Sequence, residues 1–556
     1  MRSARLAIVG AIALAGILVS LPPDVYPHAW RVWMAQWLGP PGYRPRPPSL
    51  PADPLPEAAR CPQDTPDYSA ATVIEGIQIE ASPLCEADNP WAVAAFVRGT
   101  NRVSEQVLAR SGLAADTVEK GADLDGDGDP DEIHIRLEVA ELNGGSPDLS
   151  DPMVQFEVAP GIRPALWVFT PRFTGMATEN SESLKAREGL RAPSPAIRVE
   201  QGDRVLITLE NTHYMPHTLH LHGADHGFVD QDGEGNDGVP IASEMPVMPG
   251  DSRTYELQAR NTGTKFYHCH VQPQVHVMMG LQGLFVIEEN RPDNWLQTLN
   301  LGAGQVRYRS KAVAGRYDRE FDLHYTDMDA SLHGLPARID DVRLLTAAMH
   351  RQYDASEATA DYFALNGRSF PFTFRESLVW VRPDEKIKLR VVNGGREGIA
   401  LHTHGHAVTV THRDGIVIPE TYRPQRDVVW LASAQRLDLE LGTRNDGIGA
   451  FGPGIWLFHD HGSRAITTDG IGPGGHISAI VYESYLGEDR WPLTRGVSWD
   501  PYFTAEYYRR DIPVWQSYAP QAFGRPQGQD SPGWRWPLTA FFSALLLLVI
   551  GQWLRR

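Results

Sequence analysis

Ile197-Arg-Val-Glu-Gln-Gly-Asp-Arg-Val-Leu-Ile-Thr-Leu209 alternates apolar and polar side chains on either side of a Gln-Gly-Asp turn. A period of two puts alternate side chains on one face of an extended strand, so the stretch reads as a β-hairpin with one face turned to a core. Short runs of this kind, split by turn residues, fill 153–290. They return over 318–486, as in Ile387-Lys-Leu-Arg-Val-Val-Asn393 and Arg436-Leu-Asp-Leu-Glu-Leu441. Each half places one His-x-His segment after a strand and a second near its end, which is the mark of one β-sandwich used twice. The predicted fold is therefore mainly β, two sandwiches in a row.

Outside these halves the sequence changes character. Leu6–Leu21 is apolar and follows Arg2 and Arg5, as in a signal peptide or uncleaved signal anchor over residues 1–22. Residues 23–70 are rich in proline and read as a linker. Within 71–152, residues 90–112 have helical periodicity. Residues 487–536 form an aromatic-rich tail, and 537–554 is an apolar stretch ending in Arg555 and Arg556, long enough for a transmembrane helix. Basic residues at both ends predict a periplasmic or otherwise extracytoplasmic bulk tethered to a membrane. A formal net charge of −18 over 556 residues argues against a nucleic-acid partner.

The run Asp123-Leu-Asp125-Gly-Asp127-Gly-Asp129-Pro-Asp131 sets carboxylates at alternate positions between glycines. That spacing suits a hard cation such as calcium. His134 stands where an EF-hand needs Glu, so a calcium-binding hairpin is favoured, with a solvated acidic turn as the alternative. An exported chain permits a Cys61–Cys85 disulfide, which leaves Cys269 over.

Four segments carry chemistry: His217-Thr-Leu-His220-Leu-His222-Gly, His268-Cys269-His270-Val-Gln-Pro-Gln-Val-His276, His402-Thr-His404-Gly-His406, and His459-Asp460-His461. On a strand each His-x-His pair points two imidazoles at one place, and imidazole suits copper. Four such pairs are too many for one ion. Cys269, between His268 and His270, points its sulfur to the opposite face. There it can join two histidines in a separate trigonal blue-copper site, back to back with the first.

Over roughly 153–486 these segments resemble the multicopper oxidase motifs HPxHxHG, HCHxxxHxxxxM, HPxHxHGH and a terminal HxH. The resemblance implies two cupredoxin-like Greek-key sandwiches and four coppers per subunit. It assigns type 1 copper to His217, Cys269 and His276, type 2 copper to His220 and His402, and the type 3 pair to His222, His268, His270, His404, His459 and His461. Asn236-Asp237-Gly-Val-Pro240 matches the family's DGVP stretch, which makes Asp237 the candidate for delivering protons. His406 reads as support for a ligand. His213 and Asp225 lie near the substrate-facing edge of the type 1 site or, more simply, on the surface. His226, His412 and His476 fit no ligand position.

Three departures matter. Ile399 and Asp460 replace the His and Cys of a second type 1 site, so the blue copper belongs to the first sandwich alone. The axial position is Leu281, with Met278 or Met279 as a substitute ligand or as packing. The loop from Cys269 to His276 is two residues longer than the motif. Together these resemble the two-domain, laccase-like branch, whose trinuclear cluster forms between subunits of a homotrimer. The implied activity is one-electron oxidation of a phenolic or metal-ion donor coupled to reduction of O2 to water. A copper nitrite reductase, which shares the two-domain trimer, and a non-catalytic copper-binding protein are the alternatives.

Overall fold

A computed structural model describes residues 2–20, 70–82, 89–144, 155–174, 189–302, 304–495, 498–509 and 535–554. The linker up to residue 69, both Cys61 and Cys85, and most of the tail beyond 509 lie outside them. The chain divides into two compact units, 1–55 with 513–556, and 56–512.

The first unit holds two helices, Arg2–Ser20 and Arg535–Leu554. Gly10 faces Val549 and Gly16 faces the Phe542 ring, so the helices touch where side chains are smallest. The expected terminal membrane helices are not borne out. Among the described residues no helix is long and apolar enough to cross a membrane. A span needs about 20 predominantly apolar residues, and polar or small residues interrupt both stretches: Gly10, Gly16 and Ser20 in one, Thr539, Ser543, Gly551 and Gln552 in the other.

The second unit is mainly β, as expected, with two sandwiches. In the first, one sheet runs Val118–Lys120, Glu132–Leu142, Arg204–Glu210, Ser252–Gln258, Asp225–His226, with Leu166–Pro171 also on Glu132–Leu142. The facing sheet runs Leu299–Asn300, Ala196–Glu200, Gln282–Glu288, Gly263–His268, His220–His222. Strands from the stretch before residue 153 are thus part of the first sandwich. The helical periodicity over 90–112 becomes two short helices, Pro90–Arg98 and Glu105–Ser111, packed into the same core.

The Ile197–Leu209 hairpin is corrected. Its strands form, but they pair with different partners in different sheets: Ala196–Glu200 lies parallel to Gln282–Glu288, and Arg204–Glu210 parallel to Glu132–Leu142. The turn between them crosses from sheet to sheet. Gly202 supplies its positive φ of 112°, and the Asp203 carboxylate accepts the Glu200 N–H at 2.7 Å. Arg204–Glu210 alternates in burial as the pattern demands, while Ala196–Glu200 is buried on both faces.

The reason is the second sandwich, which covers the outer face of that sheet. Arg198 pairs with Asp322, and Arg390 reaches Glu288 at 2.6 Å, Glu320 at 2.5 Å and Asp438 at 3.0 Å. Asp438 also holds Lys388 at 3.1 Å and the Thr264 hydroxyl. Buried charges persist only when paired, and this network pairs cations with carboxylates across the seam. The covering sheet contains Arg319–Met328, Lys386–Asn393, Arg436–Gly442 and Val408–Arg413. The outer sheet runs Val379–Val381, Ile477–Tyr482, Ile455–Asp460, Ile399–Thr403, Val428–Leu431. Arg319–Met328 lies parallel to Lys386–Asn393, and Val379–Val381 parallel to Ile477–Tyr482, repeating the two parallel pairings of the first sandwich.

Candidate metal centres

Cys269 follows the end of strand Gly263–His268 and is fully buried. Its Sγ lies 3.7 Å from His217 Nδ1 and 3.4 Å from His276 Nδ1. His217 is held just before strand His220–His222 by two backbone hydrogen bonds with Val247. His276 closes the short helical turn Pro273–His276. One thiol and two imidazoles thus converge with ligand atoms inside 4.8 Å. Burial, and then the neighbouring histidines, hold His217 and His276 well below the usual histidine range. Burial pushes the Cys269 thiol up to about 11. Three neutral donors packed this closely fit a metal ion, whose charge supplies what a buried thiolate otherwise lacks. Leu281 is fully buried nearby in sequence and Met279 is core, while the Met278 Sδ lies 3.6 Å from the Tyr353 hydroxyl.

The outer nitrogens of both histidines are also engaged. His217 Nε2 lies 2.8 Å from His213 Nδ1, and His276 Nε2 lies 2.9 Å from His350 Nε2. With Nδ1 given to a metal ion beside the sulfur, the ring proton would sit on Nε2, and each imidazole would donate outward. His213 is therefore buried support, not the surface residue it resembles in the sequence. Trp167 stands edge-on to His213, His217 and His276 at 4.9, 6.1 and 5.2 Å, and its indole N–H donates to Glu141 at 2.7 Å. Trp167, Glu141 and His350 belong to no motif, and only the fold brings them to the site.

The His-x-His segments lie on paired strands. His268 is opposite His220, and His402 is opposite His459, in the same antiparallel arrangement. Backbone carbonyls set the tautomers. His220 Nδ1–H donates to Asp237 at 2.7 Å, His268 to Cys269 at 2.9 Å, His402 to Asp427 at 2.9 Å and His459 to Asp460 at 2.9 Å. In all four Nε2 keeps its lone pair, whereas at the cysteine site it is Nδ1 that faces the other donors. Nε2 of His268 lies 2.9 Å from His222 Nε2, and His459 Nε2 lies 3.2 Å from His404 Nε2. Burial, then neighbouring imidazoles, lower His222 to about 4; burial is also the main cause that lowers His268 to about 3. Neutral, clustered, lone-pair-bearing imidazoles fit a borderline cation such as copper.

Two triads emerge, His220 with His222 and His268, and His402 with His404 and His459. His270 and His461 complete their surroundings, 5.3 Å from His220 and 5.7 Å from His402 between ring centroids. Among the described residues no ring contact or metal-capable group joins the two sets. The covering sheet of the second sandwich lies between them. Asp237 Oδ1 lies 3.4 Å from His220 Nδ1, and His226 joins the same pair as a metal-capable group. His226 had no assignment from the sequence. Both its ring nitrogens are buried without a hydrogen-bond partner.

Where a second cysteine site would stand, Asp460 accepts the Ala400 and Gly462 N–H groups and faces His476 Nδ1 at 3.5 Å. His406 supports the site from between the His404 carbonyl and the Tyr482 hydroxyl. In the acidic loop Asp123, Asp125 and Asp127 converge. Asp131 instead accepts the Leu124 and Asp125 amides, and Asp129 accepts that of Asn294 at 2.7 Å.

Comparison with known proteins bears on the first sandwich directly. The Multicopper oxidase family model Cu-oxidase_3 matches residues 189–292. The iron transport multicopper oxidase FET3 of Saccharomyces cerevisiae is 28% identical over 284 residues, 49% of this chain and 37% of its own length. Laccase-2 of Botryotinia fuckeliana is 27% identical over 252 residues, 44% of this chain and 38% of its own. The chain thus spans well under half the length of these curated relatives. Among solved structures, the multicopper oxidase mgLAC aligns over 69% of this chain and 95% of that one, at 26% identity and a TM-score of 0.46. Residues 189–292, the segment that carries Cys269 and its histidines, are similar to the multicopper oxidases.

Proposed function

We propose that the protein is a laccase-like multicopper oxidase that couples one-electron oxidation of a phenolic or metal-ion donor to four-electron reduction of O2 to water. The observation that carries this reading is the position of Cys269: its sulfur lies with His217 and His276, while His268 and His270 on either side belong to the next imidazole set. One residue thereby links two sites through a peptide bond on each side.

Copper at these groups would supply one-electron carriers at the first site and an O2-reducing centre at the second. The protein's part is to fix the donors. Backbone carbonyls turn His220, His268, His402 and His459 so that Nε2 faces inward, and His213 and His350 turn His217 and His276 so that Nδ1 does. Asp237, whose carbonyl and carboxylate both face His220, is the group we assign to holding and passing the protons that water formation consumes. Type 2 and type 3 ligands are assigned as the resemblance implies, His220 with His402, and His222, His268, His270, His404, His459 and His461. We further assign the set on the second sandwich to a neighbouring copy in a homotrimer, which agrees with the separation of the two triads. Asp123, Asp125 and Asp127 are a candidate calcium turn, and the basic amino-terminal segment supports an extracytoplasmic location.

A nitrite reductase needs only three histidines at a type 2 site, which leaves most of these eight imidazoles without a role, and a copper store would have no use for the link through Cys269. The test is copper analysis with oxygen uptake. About four coppers per chain and donor-dependent O2 consumption are expected for this site set. Nitrite-dependent NO release without O2 uptake, or copper binding with no turnover, would replace this reading.

A further inference from the structure

The His276 imidazole is fully buried, so a donor cannot touch it. What covers it is a segment of the second sandwich that follows strand Arg319–Met328, helix Val342–Ala347 and then a wider π-type turn, Ala348–Gln352. Such turns cluster at functional sites. The segment is stitched to the cysteine site at three points. The Thr346 hydroxyl lies 3.3 Å from Met215 Sδ, His350 Nε2 lies 2.9 Å from His276 Nε2, and the Tyr353 hydroxyl lies 3.6 Å from Met278 Sδ and 3.0 Å from Asp329. Leu345 and Met349 enter the same core as Cys269 and Trp167. His350 itself is half-buried, and Arg351 and Gln352 beside it are exposed.

We propose that His350 is the residue against which the reducing donor docks, and that it takes donors through a hydrogen-bond-accepting oxygen, as in a phenol or phenolate. This rests on the oxidase reading above. With His276 Nδ1 given to a copper ion beside the sulfur, its Nε2–H donates to His350 Nε2 2.9 Å away and occupies that lone pair. The remaining nitrogen, Nδ1, then carries a proton, and among the described residues no hydrogen bond engages it. An outward N–H binds an oxygen lone pair and repels a metal cation. A phenolate held there would lose one electron and become a phenoxyl radical, and a cupric ion held by His217, Cys269 and His276 would be reduced to cuprous by that electron, taken along the His350–His276 hydrogen bond. A neutral phenol also releases one proton to bulk water, and His350 keeps its protons throughout.

The test compares anaerobic bleaching of the blue band of copper-loaded protein by 2,6-dimethoxyphenol, ferrous ion and ferrocyanide. His350→Ala should leave the band in place and slow bleaching by the phenol roughly tenfold, the loss expected for one hydrogen bond. Ferrocyanide, which needs no such contact, should slow less than the phenol does, so that the phenol-to-ferrocyanide rate ratio falls several-fold. His350→Gln, which keeps an N–H donor, should restore part of the phenol rate. Equal slowing with phenol and ferrocyanide, or loss of the band in both variants, would show a structural role and overturn the proposal. Greater slowing with ferrous ion would overturn the tautomer argument. Copper-loaded wild-type protein with no blue band would instead defeat the oxidase reading itself.

Discussion

At the scale of single residues, Cys269 is the side chain on which the rest depends. Its Sγ is the one sulfur among the donors of the candidate centres, and Ser in its place keeps the volume while removing the thiolate. Cys269→Ser should abolish absorbance near ~600 nm, the signature of a copper–thiolate bond, with no loss of folding by circular dichroism. A surviving blue band would mean the sulfur is not the ligand. A second prediction concerns Glu138, on strand Glu132–Leu142. It is 2% exposed, one carboxylate oxygen has no hydrogen-bond partner, and Arg172 stands 3.8 Å away. Burial, then the nearby Glu210, pushes it up to about 7. The folded state therefore favours the protonated acid. Its contribution is full below the unfolded value near ~4.5 and is lost as pH rises through about 7. Glu138→Gln should thus raise stability at pH 8 by about 2–3 kcal/mol and change little at pH 4, read from urea midpoints at both pH values.

At the scale of elements, the same residue pattern served two different strands. Arg204–Glu210 alternates because only one of its faces is buried. Ala196–Glu200 alternates in sequence yet is buried throughout, because the second sandwich lies on its outer face. A local period reports polarity and not what another part of the chain will cover, which is why the strands were legible and their pairing was not. The His-x-His segments were legible for the opposite reason: ligand spacing on a strand is itself local. His213 and His350 were missed because their roles come from contacts that no spacing encodes. The seam offers a direct measure of the hidden layer. Asp438 sits between Lys388 and Arg390 and accepts the Thr264 hydroxyl from the other sandwich. Asp438→Asn takes the paired carboxylate from buried Lys388 and one of three from Arg390, and should cost about 3–5 kcal/mol, seen as a lower urea midpoint. A shift under about 0.5 kcal/mol would mean the seam is wet or already screened.

At the scale of the whole molecule, the chain carries two imidazole sets that have no ring contact with each other among the described residues. One is built on His220, His222, His268 and His270, the other on His402, His404, His459 and His461, and a sheet separates them. Each has exposed apolar neighbours. Ile241 is 94% exposed just past the Asp237 turn that holds His220, and Trp430 is 58% exposed on the strand paired with His402. Apolar surface around an incomplete site is what a head-to-tail interface between copies would cover. In a closed ring of that kind, every working cluster takes its first half from one subunit and its second from the next. This gives a prediction that does not depend on the number of subunits. His268→Ala/His270→Ala and His402→Ala/His404→Ala should each be inactive alone. Unfolded together in equal amounts and reassembled with copper, they form a working cluster wherever an intact first half precedes an intact second half, about one interface in four by random pairing. Oxygen uptake near a quarter of wild type is then expected. If each chain instead folded its own eight histidines into one cluster, no mixture of the two variants would recover any activity.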